Sequence, residues 1–72
     1  MKYAIIIEKT DEGTYGGYAP DLPGVGVTGD TADEVRELLS KAIDFHLQGM
    51  REDGIDAPQP SVEIDYIDTT AA

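Results

Sequence analysis

The stretch that most constrains this chain is Tyr18-Ala19-Pro20-Asp21-Leu22-Pro23-Gly24-Val25-Gly26-Val27-Thr28-Gly29-Asp30-Thr31. Two prolines three apart fix a turn: each presets φ near −65° and lacks an N–H, while Gly24 admits the positive φ that closes it. The segment before the turn reads as strand, and Val25-Gly26-Val27-Thr28 after it reads as a short strand again. Thr31-Ala32-Asp33-Glu34 then has the form of a helix start, with Thr at the N-cap and Glu three residues on. One segment thus joins a hairpin to a helix.

The rest of the chain falls into place around it. Tyr3-Ala4-Ile5-Ile6-Ile7-Glu8 is β-branched and aromatic and too short for a helix, so it predicts a first strand. Lys9 to Gly13 is a polar hairpin connection, and Thr14 to Ala19 is the return strand, weakened by Gly16 and Gly17. From Val35 the apolar positions 35, 38, 39, 42, 43, 46, 47 and 50 follow helical spacing, with Gly54 as the stop. Pro58 and Pro60 make an extended connection, and Ser61 to Ile67 alternates: Val62, Ile64 and Tyr66 on one face, Glu63 and Asp65 on the other. That predicts a fourth strand, with 68–72 as a loose tail. The expectation is an α+β domain, β-β-β-α-β, with a four-stranded sheet in order 3-2-1-4. Its fourth strand runs parallel to the first, and its one helix covers the face carrying Ile5, Ile7, Val62 and Ile64.

At 72 residues the chain is one domain with a small core, and without cysteine it has neither disulfide staples nor thiolate metal ligands. Self-association is a natural supplement, and a homodimer is expected, because one helix leaves a sheet face or edge uncovered. Fifteen acidic against five basic residues give a net charge of −10, which repels phosphate backbones and argues against direct nucleic-acid binding. The first apolar run, Tyr3 to Ile7, is too short for a signal peptide or a membrane span, so a cytoplasmic chain is expected.

Candidate chemistry is sparse. His46 lies on the helix's apolar stripe, so it is expected to be mostly buried and not catalytic. The acids match no metal-ligand spacing, and solvated surface charge accounts for them. Gly24-x-Gly26-x-x-Gly29 matches a dinucleotide-binding pattern in spacing, but the glycines follow a proline turn rather than a buried parallel strand. No catalytic, cofactor or metal residue is assigned. The turn itself, Pro20, Asp21, Leu22 and Pro23, is the candidate partner contact, a carboxylate beside a leucine expected to be exposed on a rigid loop.

In order along the chain, Tyr18 to Gly24, Gly29-Asp30-Thr31 leading into the helix, Ala42 through His46-Leu47, Glu52-Asp53-Gly54 and Pro58-x-Pro60 resemble the HicB-like antitoxin family over about residues 3 to 66. The resemblance implies a partly degraded ribonuclease-H-like fold without that enzyme's activity. It also implies a HicA-like partner, a small basic toxin that cleaves RNA. Many members carry a C-terminal DNA-binding domain; here a single domain, 1–72, without one is expected. Two alternatives stay open: an orphan scaffold or regulator with another protein partner, and a metal-dependent nuclease reflecting the fold's ancestry.

Overall fold

The computed structural model describes residues 1–71; Ala72, the last residue of the expected tail, lies outside them. Strands β1 (Ile6–Lys9), β2 (Tyr15–Tyr18) and β3 (Gly26–Gly29) precede helix α1 (Ala32–Glu52). The strands form an antiparallel meander in spatial order β1-β2-β3, with Ile6 opposite Tyr18 and Tyr15 opposite Gly29. The α+β class and the meander match the sequence reading. The four-stranded order 3-2-1-4 does not: Ser61 to Ile67 forms no strand among the described residues, and both β1 and β3 are free edges.

The turn between β2 and β3 is two turns in tandem. Leu22 N–H donates to Ala19 carbonyl at 3.0 Å and Val25 N–H to Leu22 carbonyl at 3.2 Å. Pro23 and Gly24 (φ +88°) take the central positions of the second, the signature of a type II turn. Ala19, Leu22 and Val25, the corner residues of the two turns, are all buried. With Val35 and Leu39 from the helix they make up the buried apolar core among the described residues, flanked by Tyr3, Ile5, Ile7, Tyr15, Val27, Ala42, Ile43 and Leu47. Ile5 and Ile7 therefore face the helix, as the alternation predicts.

The helix begins where its cap says it should. Thr31, extended at φ −135°, ψ 159°, accepts from Glu34 N–H at 3.0 Å, and Glu34 returns a weaker contact to Asp30 N–H at 3.4 Å. It ends in a Schellman arrangement: Ile55 N–H reaches Met50 carbonyl at 2.8 Å and Gly54 N–H reaches Arg51 carbonyl at 3.1 Å. Twenty-one residues make a helix about 31 Å long, whereas four-residue strands are only about 13 Å. The N-terminal half packs on the sheet, and the C-terminal half overhangs it.

Close packing rests on Gly17. A Cβ there would lie 2.6 Å from Val35 Cγ1, 2.8 Å from Leu39 Cδ1 and 3.2 Å from Ile6 carbonyl oxygen. Neither side chain has room to retreat, since both are fully buried. Gly16, on the other face, meets only Val27 carbonyl oxygen, at 3.9 Å. Gly17→Ala is expected to destabilise the domain by about 1–3 kcal/mol, as overpacking does. Gly16→Ala is expected to be close to neutral; urea denaturation of the two variants checks the difference.

Candidate functional site

The turn's side chains divide. Leu22 is fully buried, which corrects the expectation of an exposed leucine: as the corner shared by two turns it is planted under the sheet end. Pro23 is exposed, and Pro20 and Asp21 are partly exposed. Asp21 has a partner within the chain. Its Oδ1 accepts from Ser61 Oγ at 2.7 Å, and its Oδ2 accepts from Ser61 N–H at 3.1 Å and Val62 N–H at 3.3 Å. Those bonds, the Ser61 hydroxyl's first, favour the ionised form and hold the carboxyl below its ordinary range. A second tether lies nearby, where Tyr3 hydroxyl donates to Pro58 carbonyl at 2.6 Å. Together they carry the chain from the helix end across the start of β1 to the turn after β2.

Beyond the clasp the chain is exposed at every described residue from Ser61 on. Ile64, Tyr66 and Ile67 are 58%, 88% and 91% exposed, and Val62, 38%. Two neighbouring side chains in the C-terminal half of the helix fare differently. Phe45 is 80% exposed because it points away from the helix face that packs on the sheet, and His46 lies half-buried on the stripe, in keeping with the burial expected of it. Phe45 was absent from the apolar stripe; its position, well away from Leu39 on the helical wheel, was the available signal.

Two grooves flank α1 where it diverges from β1. One of about 490 Å³ is lined by Met1, Tyr3, Ile43, Leu47, Arg51 and Ile55, among others. The other, about 240 Å³, is lined by Met1, Tyr3, Ile5, Arg36, Leu39 and Ile43, among others. Every acidic side chain except Asp21 is exposed, and the ion pairs Arg36–Asp33 and Lys41–Glu37 lie on the solvent side of the helix. Among the described residues no three His, Asp or Glu side chains gather as a metal-ion cluster. Gly26 to Gly29 is antiparallel strand, so the glycine spacing serves the sheet rather than a phosphate loop. No helix is long and apolar enough to cross a membrane, among the described residues.

Residues 3–71 match the family described as HicB-like antitoxin of bacterial toxin–antitoxin systems. The chain belongs to that family. Its fold superposes on the crystal structure of the N-terminal domain of the Burkholderia pseudomallei antitoxin HicB with a TM-score of 0.73 and 30% identity, covering 99% of this chain and 75% of that one. An uncharacterised 14.9 kDa protein from the rep-hol intergenic region of Haemophilus phage HP1 is 40% identical over 67 residues, 93% of this chain and 50% of its own length. A UPF0150 protein of Archaeoglobus fulgidus is 40% identical over 48 residues, 67% of this chain and 70% of its own. The chain thus spans about half the length of the phage relative.

The clasp has a pH signature. A carboxyl whose pKa is lower in the folded than in the unfolded chain contributes its full stabilisation above the unfolded value, about 4, and loses it as pH falls through the lower folded value. Asp21→Ala is expected to lower the protection of the Ser61 and Val62 amides, relative to their intrinsic exchange rates, with the helix unchanged, and acidification below about pH 4 should do the same to the parent chain. Hydrogen exchange read residue by residue checks both.

Proposed function

We propose that this chain is a non-catalytic antitoxin that binds and masks a small basic HicA-like ribonuclease in the cytoplasm, acting as a homodimer. The observation that carries the reading is membership of a toxin–antitoxin family by a chain whose fifteen acidic residues outnumber its five basic ones and are almost all at the surface. A net charge of −10 attracts a cationic partner over distances up to about a Debye length, farther at low salt. It speeds encounter and selects the partner, while apolar burial sets the lifetime of the complex.

The Pro20–Pro23 turn is part of the proposed contact through Pro20, Asp21 and Pro23. Leu22 is committed to the core and takes no direct part. The rigid tandem turn costs little ordering entropy on binding. Exposed Phe45 offers an aromatic anchor of the kind that interfaces use.

Co-purification with the basic protein encoded beside this chain, followed by stopped-flow binding and an RNA-cleavage assay, tests the proposal. Raising salt from about 0.05 to about 0.5 M is expected to slow association by an order of magnitude or more with little change in dissociation. Pro23→Lys is expected to weaken binding without unfolding the domain. Unchanged affinity in that variant removes the turn from the contact. RNA cleavage by this chain alone with Mg²⁺ or Mn²⁺, or a neighbouring protein that fails to bind, overturns the antitoxin reading.

A further inference from the structure

We infer that the free edge of β3 pairs with the same edge of a second copy, antiparallel about a twofold axis beside Val27, and that α1 packs on the partner's α1 above the joined strands. The inference rests on the homodimer reading above and names the surface that makes it. Backbone bonding sets which groups face outward. Thr10 N–H bonds Thr14 carbonyl at 2.8 Å, so in the β1–β2 register the even-numbered residues bond across that ladder. The odd-numbered residues of β2 then bond β3, Gly17 with Val27 and Tyr15 with Gly29. Gly26 and Thr28, both exposed, are left with N–H and C=O aimed away from the sheet. With Gly26 of each copy opposite Thr28 of the other, every one of these groups finds a partner.

Sheet edges that stay single are guarded by charge, proline or a covering segment. β1 has such guards: Glu8 and Lys9 lie on it, and the chain after the helix crosses its start, tied there by Tyr3 and Pro58. β3 itself has none, since the chain is uncharged from Leu22 to Gly29. In a chain of net charge −10, that edge meets its own copy without like charges at the contact and offers a cationic partner nothing to pair with.

The position of α1 favours a second copy as the occupant. Val35 lies against both Gly17 and Gly29, so the helix runs above the line between β2 and β3. Strands stand about 4.8 Å apart, which sets that line about 5 Å from a twofold just beyond β3. Two helices so placed are about 10 Å apart, the distance at which helices pack. Joined through β1 they would be about 19 Å apart and out of contact. The flank of α1 on the β3 side is marked by Glu34, whose carboxyl lies 3.2 Å from a Cβ placed at Gly29. Leu38 follows one turn on and Phe45 three turns on, 37% and 80% exposed. Gly17, opposite Val27, lies beneath Val35 and Leu39, so the axis passes at the level of Leu38. An antiparallel helix pair centred there brings each Glu34 toward the other copy's Lys41, which holds Glu37 of its own chain at 3.7 Å. Phe45 is then the anchor between copies. The Pro20–Pro23 turns, at opposite ends of the joined strands, stay open to the basic partner.

Sedimentation of the intact chain at micromolar concentration tests this, with circular dichroism reporting the helix. The parent chain is expected at twice 7.7 kDa. Leu38→Lys/Phe45→Lys alters side chains exposed in the single copy; it should keep the helix signal and weaken dimerisation on the order of tenfold or more. Thr28→Pro removes one outward N–H and should do the same. The chain has no cysteine, so Leu38→Cys puts a lone thiol beside the axis. Oxidation should link that variant to its copy, whereas Asp44→Cys, on the opposite flank of the helix, should stay unlinked. A monomeric parent chain overturns both the pairing and the homodimer. A dimer indifferent to Leu38→Lys/Phe45→Lys or to Thr28→Pro, or linked as readily through Asp44→Cys as through Leu38→Cys, overturns the β3 surface and leaves the homodimer standing.

Discussion

Everything in this domain depends on how near α1 can come to the sheet. Val35 and Leu39 reach the floor of β2 only because Gly17 has no side chain there, and Gly29 on β3 likewise meets Val35 and Glu34. That approach is what allows five buried residues to serve as a core. It also sets the helix's tilt toward β2 and β3, and so opens the grooves at the β1 side. A chain of 72 residues has little surface to spare for a thicker core, so close contact substitutes for volume.

The parts legible in the sequence are those decided by local rules. Thr31 and Glu34 fix the helix start, the Gly54 stop follows from the need for positive φ, and Pro23-Gly24 fixes the type II turn. The alternation in β1 gave the right face to Ile5 and Ile7. What failed needed knowledge of neighbours. Alternation in Ser61–Ile67 encodes the capacity to be a strand, but an edge must be within reach, and the Asp21 clasp places the segment elsewhere. Leu22 looks like a loop residue between two prolines; only the tandem turn, with its shared corner, shows that it faces inward.

Asp21, read from the sequence as a partner contact, has hydrogen-bond partners within the chain as well. A carboxylate on a rigid turn is well placed to receive hydrogen bonds at little entropic cost, and here the donors are Ser61 and Val62 of the same chain. Two backbone N–H groups and a hydroxyl satisfy a negative charge without any cation, which matters in a chain with few cations to offer. The clasp is therefore compatible with the acidic surface rather than in competition with it. It also settles the direction of the segment that follows.

The surface left over carries two opposing demands. Strong negative charge favours solubility and rapid capture of a basic protein, yet it makes two copies of the chain repel. Ile64 and Tyr66 stand exposed beside that charge, and apolar burial, unlike charge attraction, acts at short range and is not screened by salt.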